Sequence, residues 1–362
     1  MSSPAEEPAS PPTRSGPRVL VVRPSALGDV ARTVPCLVTL RAAMPDARID
    51  WLVQDSFIDV VRHHPMLDHA VAFPRKDFQG LRGLRAFHWT RILKQNRYDI
   101  ALDLQGLFRS AWLTWRSGAR KRVGFANARE LGWLFYNAKH NVSPQLHTVD
   151  RMLGLLAAEG HTTSHDMRLY TCDADEQWLD VLLSGLPPTS QPQRYIVLAP
   201  TARWLSKCWP LASYLALARR MLDANLTRHF FILASPAEHG QVQQLVDGLR
   251  ESHPAAAVSM PTTTVGQMMA VLRRGGLVVC NDSAPLHIAV GFDRPIVAIF
   301  GPTDPALVGP YGRNNSVVRP ADGETVKSLG YYRKHPDDQA LMAKVPLEAV
   351  WERVLSQLQS ST

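Results

Sequence analysis

Apolar residues in this chain follow two spacings, and their alternation predicts the architecture. Short unbroken runs recur at 18–23, 49–53, 70–73, 99–104, 195–199, 229–234, 258–260, 277–280 and 295–300. Runs of that length read as strands buried on both faces. Between them the apolar positions fall three and four apart, as in Val30, Val34, Leu37 and Leu40. That is the helical period. It predicts helices after Asp29, at 57–63, 80–95, 147–159, 210–223, 265–273 and from Pro346, and one carrying Arg109 and Trp112. Pro35 should kink the first of these near its start. Strands alternating with helices predict parallel sheets with helices on both faces.

The pattern fails twice. Residues 1–16 are rich in Ser, Pro, Ala and Glu with almost no large apolar side chain, which predicts a disordered tail. Residues 184–194 carry three prolines and no apolar period, the mark of a domain boundary. The division expected is an N-terminal Rossmann-like domain at 17–186, a linker at 187–193 and a second Rossmann-like domain at 194–345. A last helix, within 346–362, is expected to pack at the domain junction. The stretch Val22-Arg-Pro-Ser-Ala26 is echoed by Leu198-Ala-Pro-Thr-Ala202, which suits two similar α/β halves.

Composition narrows the class. At 362 residues, 45% hydrophobic and 20% charged, the chain has the make-up of a soluble two-domain protein. No run approaches the ~20 apolar residues that span a bilayer, and the N-terminus lacks the apolar core of a secretory signal. Four scattered cysteines with no CxxC suit a reducing cytoplasm and argue against a metal site. The net charge of +8 favours anionic partners. Without zinc-finger spacing or the aromatic signature of RNA-recognition modules, nucleotides or acidic lipids are favoured over nucleic acid.

The stretch at 277–287, Leu-Val-Val-Cys-Asn-Asp-Ser-Ala-Pro-Leu-His, organises the candidate chemistry. It reads as a buried strand that Asn281 and Asp282 break and that turns into a helix. Asp282 or Ser283 can cap that helix with a side-chain oxygen, and Pro285 fits its first turn. A helix start exposes N–H groups and suits a phosphate. Ser283 and His287, four apart, project to one side of it. The familiar GxGxxG, GxxxxGK[ST], HExxH and GxSxG patterns are absent. What remains is polar groups at strand C-terminal ends, where open α/β sheets bind ligands. In the first half these are Ser25, Gly28, Asp29, Gln105 and Arg109; in the second, Thr201, Lys207, Glu238, Asp282, Ser283 and His287. Alternatives stay open for several. Asp29 and Glu238 could each be a first-turn acid serving its helix, and Lys207 a solvated loop lysine.

Five stretches in order resemble one family: Val-Arg-Pro-Ser-Ala-Leu-Gly-Asp at 22–29, Asp-Leu-Gln-Gly-Leu-Phe-Arg-Ser at 103–110, Lys-Cys-Trp-Pro at 207–210, Asn-Asp-Ser-Ala-Pro-Leu-His at 281–287 and Gly-Pro-Thr-Asp-Pro at 301–305. The chain resembles the heptosyltransferases of glycosyltransferase family 9, which use ADP-heptose to build the lipopolysaccharide inner core. The resemblance implies the GT-B architecture, two Rossmann-like domains facing across a cleft with the donor on the C-terminal one. It implies an inverting, metal-independent transfer with Asp29 as general base. It places Lys207, Thr201 and the helix start from Asp282 through Ser283 and Ala284 to His287 at the donor diphosphate, and Glu238 at the ribose. Ser25, Gln105, Arg109 and Arg151 fall to an acidic acceptor, such as a Kdo-containing glycolipid. Peripheral association with the cytoplasmic face of the inner membrane follows from that acceptor. No cofactor is implied beyond the ADP-sugar substrate. Ala284 stands where the family usually has glycine, and Thr201-Ala202 where it often has paired hydroxyls. Two rival readings use the same architecture: a nucleotide-sugar epimerase, and a non-catalytic nucleotide-sugar or glycolipid binding protein.

Overall fold

The computed structural model describes residues 14–78, 83–186, 195–320 and 334–360. The expected linker at 187–193 and tail residues 1–13 lie outside them. Among the described residues the strands form two six-stranded sheets, every pair parallel. The first holds β1 (Arg18–Val22), β2 (Arg48–Gln54), β3 (His69–Phe73), β4 (Ile100–Asp103), β5 (Lys121–Phe125) and β6 (Ala138–His140). The second holds β7 (Ile196–Ala199), β8 (His229–Ile232), β9 (Ala257–Ser259), β10 (Leu277–Asn281), β11 (Ile296–Ile299) and β12 (Val317–Val318). The spatial orders are β3-β2-β1-β4-β5-β6 and β12-β11-β10-β7-β8-β9. Read from its β9 edge, the second sheet has the order of the first. The echo between 22–26 and 198–202 therefore falls at equivalent places, the exits of β1 and β7.

The unbroken apolar runs are explained by cover on both faces. Val19 to Val22 in β1 and Leu277 to Cys280 in β10 are wholly buried. Each such aliphatic side chain gains about 1.5–3 kcal/mol on burial. The helices that cover them are α1 (Leu27–Arg32), α2 (Val34–Ala43), α3 (Gly83–Gln95), α4 (Phe108–Arg116), α5 (Thr148–Ala158), α6 (Asp173–Ser184), α7 (Leu211–Asp223), α8 (His239–Ser252), α9 (Val265–Arg274) and α10 (Ala284–Gly291). The kink expected at Pro35 is a complete break at Thr33, whose hydroxyl donates to the Asp29 carbonyl at 2.8 Å. Pro35 then sits in the first turn of α2, where its missing N–H costs nothing.

Other expectations are corrected. The helix expected at 57–63 is a single 3₁₀ stretch, Asp55–Val60. Order begins inside the expected tail: Arg14 pairs with Asp68 at 2.5 Å and Gly16 N–H donates to Asp46 O at 2.9 Å. The C-terminal helix, Leu347–Gln359, packs on β10, β11, β12 and α7, so it is a layer of the second unit and its expected place at the junction is not kept. Its buried Val350 and Val354 belong to that unit's own core. The junction is built from other elements. Helix α6 packs on α9, the 55–60 stretch packs on α9 too, and α1 packs on α10. Arg273 of α9 donates to Thr171 Oγ1 at 3.0 Å and to Glu176 Oε1 at 2.7 Å. One hydrophobic cluster consequently runs through both units.

Candidate active site

In each sheet the strand order reverses between two central strands, β1 and β4 in the first and β7 and β10 in the second. Loops leaving such strands diverge and open a crevice at their C-terminal ends. Ser25 and Asp29 follow β1, Gln105 and Arg109 follow β4, Thr201 and Lys207 follow β7, and Asp282, Ser283, Ala284 and His287 follow β10. Glu238 follows the neighbouring β8.

Asp29 sits in the first turn of α1, and its side chain is about one quarter exposed, at 26%. Its Oδ2 accepts the Ala26 N–H at 3.2 Å and lies 3.3 Å from Arg23 Nη2. Its Oδ1 takes a close bond from Arg32 Nη2. Arg32 also donates through Nη1 to the Val308 carbonyl of the second unit at 3.0 Å. Burial pushes the Asp29 carboxyl up, but the two guanidinium groups and their bonds outweigh it and hold it well below the usual carboxylate range. Asp29 is therefore an ionised carboxylate clamped by two buried cations. The first-turn role left open by the sequence is met by the bond from the Ala26 N–H.

On the other side of the cleft, Lys207 Nζ donates to Asp282 Oδ2 at 2.6 Å and the Thr303 hydroxyl donates to the same oxygen at 2.8 Å. His287 Nε2 lies 4.0 Å from Asp282 Oδ1. Burial pushes the Asp282 carboxyl up; the Lys207 cation and these bonds bring it down below its ordinary value. Burial pushes the His287 imidazole down to about 3, and Arg32 adds to the effect. His287 is thus neutral at physiological pH. It lies in the field of both Asp29 and Asp282, and its buried Nδ1 has no hydrogen-bond partner.

Asn281 explains why these loops meet. It is fully buried at the end of β10. Its Oδ1 accepts the Trp209 N–H at 3.0 Å and the Tyr214 hydroxyl at 3.2 Å, and its Nδ2 donates to Pro200 O at 2.7 Å. One amide thereby ties the exit of β7, the end of the Lys207 loop and α7 to β10. The sequence pattern shows Asn281 only as a strand breaker; its place inside the strand and its three partners are tertiary facts. Ser283 holds the cap position of α10, but its side chain does not accept from the helix. Instead it contacts the Asn281 carbonyl at 3.4 Å. Glu238 plays the first-turn part, its Oε2 accepting from Ser235 N–H at 2.8 Å and Oγ–H at 2.6 Å. Thr201 is half-buried at the β7 exit.

In the first unit, Ser25, Gln105 and Arg109 line one pocket of ≈ 230 Å³, together with Gln54, Arg75 and Glu130. Gln105 Oε1 is buried there with no partner. The loop bearing it hangs on Asp103, whose Oδ1 accepts the Gln105 and Gly106 N–H groups at 2.8 and 3.0 Å and whose Oδ2 accepts the Tyr136 hydroxyl at 2.6 Å. Tyr136 reaches it across Gly124, where a Cβ would come within 2.3 Å of the ring. Arg151 is not in the lining of that pocket. It donates to Asn127 Oδ1 at 3.2 Å, lies over the Phe125 ring at 4.4 Å, and stands in the field of Arg129 and Arg23. Arg23, Arg32, Asn281 and Thr303 are site neighbours to which sequence reasoning gave no part in the site; Arg23, Asn281 and Thr303 lay within the quoted stretches, and Arg32 follows Asp29 by three. Among the described residues no group of three or more His, Cys, Asp or Glu is placed to hold a metal ion.

The model of glycosyltransferase family 9 (heptosyltransferase) matches residues 86–332. The chain belongs to this family. As a family 9 glycosyltransferase, it is 31% identical over 306 residues to lipopolysaccharide heptosyltransferase 1 of Pseudomonas aeruginosa, covering 82% of each chain. It is 29% identical over 311 residues to the Escherichia coli K12 protein of that name, covering 83% of this chain and 93% of the relative. Its fold matches a family 9 glycosyltransferase of Veillonella parvula with a TM-score of 0.83, at 22% identity and over 95% and 98% of the two chains. An E. coli heptosyltransferase solved with ADP superposes with a TM-score of 0.73 at 26% identity, over 94% and 99%. The two facing Rossmann-like units are the GT-B architecture. These relatives do not favour the epimerase and binding-protein readings. No helix among the described residues is long and apolar enough to cross a membrane.

Proposed function

We propose that this glycosyltransferase moves a heptose from ADP-heptose to a lipopolysaccharide inner-core glycan or a related acidic acceptor, inverting the anomeric carbon. The observation that carries the reading is the packing of α1 on α10. It brings the Asp29 turn and the Asp282–Lys207 pair to one buried imidazole, that of His287. A similar protein supports this choice of donor: an E. coli heptosyltransferase was solved with ADP-2-deoxy-2-fluoro heptose.

In this reading an acceptor hydroxyl attacks the anomeric carbon, the bond from that carbon to the diphosphate breaks, Asp29 takes the hydroxyl proton, and ADP leaves. Clamped by two arginines, Asp29 is a weak base. A weak base suffices, because the hydroxyl becomes strongly acidic once it bonds to an oxocarbenium-like carbon. Lys207 meets the negative charge that grows on the departing diphosphate, with Thr201 and the N–H groups at the start of α10 beside it. Asp282 has only acceptor oxygens, so its part is to aim Lys207 and Thr303. Glu238 would trade its bonds to Ser235 for the ribose hydroxyls. Ser25, Gln105 and Arg109 would hold the acceptor in their pocket, with Arg151 offering positive charge on the Asp29 side. A nucleotide-sugar donor assigns the reaction to the cytoplasmic side of the inner membrane.

The test is product analysis with ADP-heptose in the presence and absence of acceptor. ADP and heptosylated acceptor should appear one for one, and only together. Free ADP released without acceptor, or an isomerised sugar, would overturn the proposal.

A further inference from the structure

The segment after β11 opens on Gly-Pro-Thr-Asp-Pro at 301–305 and runs into one short helix, Pro305–Val308. A helix end leaves its last carbonyls without partners of its own. Here three successive carbonyls are taken by side chains of the first unit. Thr148 Oγ1 donates to Leu307 O at 3.0 Å, Arg32 Nη1 to Val308 O at 3.0 Å and His147 Nε2 to Gly309 O at 3.1 Å. The other nitrogen of His147 fixes its part. Nδ1 accepts the Val149 N–H at 3.2 Å, so the proton sits on Nε2, and burial favours this neutral form. Two residues beyond Gly309, the Tyr311 hydroxyl donates to Asp150 Oδ1 and lies 2.6 Å from His165 Nδ1. The first unit thus grips the segment at four residues out of five.

The near end of the same segment belongs to the donor side. Thr303 gives its hydroxyl to the Asp282 oxygen that also holds Lys207. Arg32, meanwhile, gives Nη1 to the segment and Nη2 to Asp29 Oδ1. One run of bonds therefore joins Asp29 to Lys207. It passes from Asp29 to Arg32, to Val308, back along the chain to Thr303, then to Asp282 and Lys207. The side chains of Arg32 and Asp282 are each only 8% exposed, so water is poorly placed to replace these bonds. Arg23 makes the contrast. It lies 3.3 Å from Asp29 Oδ2, but its other bond goes to Leu104 O, in its own sheet. Arg32 alone of the two cations ties the carboxylate to the opposite unit. A guanidinium is planar and keeps its two terminal nitrogens at a set spacing, so Asp29 is held at a defined place relative to the Val308 carbonyl. A lysine could neutralise Asp29, but it has one nitrogen on a flexible stem.

We propose that Arg32 is a positioning residue for the transfer, setting the Asp29 carboxylate in register with the Asp282–Lys207 side of the cleft through the 303–309 segment. This role rests on the reading of Asp29 as the base, through which Arg32 acts. A misplacement of about 1 Å at a reacting group can cost about 10²-fold in rate. Donor binding, assigned above to Lys207, Thr201 and the start of α10, does not pass through Arg32.

The test is steady-state kinetics with ADP-heptose and acceptor on Arg32→Lys, on Asp29→Asn and on the two combined, with the thermal shift produced by ADP measured on each. Arg32→Lys keeps the charge, so a residue that only neutralises Asp29 would keep its turnover. We expect kcat to fall about ten- to a hundredfold, with the donor KM and the ADP shift within about twofold of the parent. Added to Asp29→Asn, the same change should alter the residual turnover by less than about twofold, because Arg32 then has no base to position. Tyr311→Phe keeps the ring and removes the hydroxyl that ties the segment to Asp150. It should lower kcat about three- to tenfold at an unchanged donor KM, and it decides the matter if Arg32→Lys does not fold. Three outcomes would overturn the proposal: an unchanged kcat in folded Arg32→Lys or in Tyr311→Phe, a loss confined to KM, or an equal loss with Asp29 and with Asn in its place. The last would make Arg32 act apart from Asp29 and leave the base reading standing. A fully active Asp29→Asn would instead bring down the base reading itself, and this role with it.

Discussion

Gly28 of the first unit lies directly against the imidazole of His287 of the second. A Cβ built on Gly28 would come within 2.7 Å of His287 Cδ2 and 3.3 Å of the Ala284 Cα. The helix carrying Asp29 therefore rests on the start of the helix that follows Asp282, and a missing methyl group is what lets it.

Gly28→Ala tests this contact with an unusual sign. Within a helix, alanine in place of glycine ordinarily stabilises by about 1 kcal/mol. Here the methyl should force the units apart and cost about 1–3 kcal/mol instead, with a loss of turnover. Adding His287→Ala should return part of that loss, read from urea melts of the two single variants and the double. A Gly28→Ala chain more stable than the parent would mean the units do not meet this way in solution.

Asp29→Asn keeps size and removes the proton acceptor. Turnover should fall roughly 10²–10⁴-fold, while the thermal shift produced by ADP survives. If Asp29 serves only its helix, turnover should stay nearly intact and stability drop by about 0.3–1 kcal/mol. Turnover and melting temperature on one variant separate the two.

Lys207→Met should act twice. It removes the cation proposed for the diphosphate, lowering ADP affinity about ten- to a hundredfold. It also strands Asp282, whose side chain is only 8% exposed, at a cost of about 3–5 kcal/mol. Lys207→Met with Asp282→Asn should recover the stability and not the affinity. Recovery of both would place the phosphate elsewhere.

Stability should fall with pH well before the carboxylates titrate. His287 is pushed down to about 3 from an ordinary 6.5, and His64 to about 4, burial being the main cause for each. Below the ordinary value the unfolded chain binds these protons and the folded chain does not, so acid favours unfolding. Each histidine adds about 1.4 kcal/mol per pH unit. Asp29 and Asp282 are depressed instead, so the stability they add is lost only below the ordinary carboxylate value of 3.8. Urea melts between pH 7 and 4 should show the slope, and His64→Gln and His287→Gln should each flatten it. A level profile over that range would refute the assignment.

Most central strands were legible because burial on both faces leaves an unbroken apolar run, as in Val19 to Val22. Three strands were not. Lys121–Phe125, one place in from the edge, opens on two cations, and the edge strands Ala138–His140 and Val317–Val318 are too short to show an apolar run. Helix α6 hid behind its acidic first turn, Asp173, Asp175 and Glu176. In the site, what followed from strand ends and helix starts was readable: Asp29, Gln105, Lys207 and Asp282 all lie where the pattern put them. Pairings across the cleft were not, because Arg32 with Val308 and Gly28 with His287 are separated by most of the chain. Ser283 shows the limit of a cap rule, since position and residue type were right and the hydrogen bond is still not made.

The separation of the two sheets along the chain sets an order of assembly on the ribosome. The first sheet has its last strand by His140, and the second starts at Ile196. Each sheet also needs a distant partner at its centre, Val22 with Asp103 and Ala199 with Cys280. Val30 and Ala31 of α1 belong to the same hydrophobic cluster as Leu286 and Ile288 of α10. At a synthesis rate of roughly 5–20 residues per second, some ten to fifty seconds separate the two helices. In the later part of that interval, after α6 is made and before α10 is, the nascent first unit carries a bare apolar surface where the second will dock, which is the moment at which this chain is most open to aggregation and to capture by chaperones.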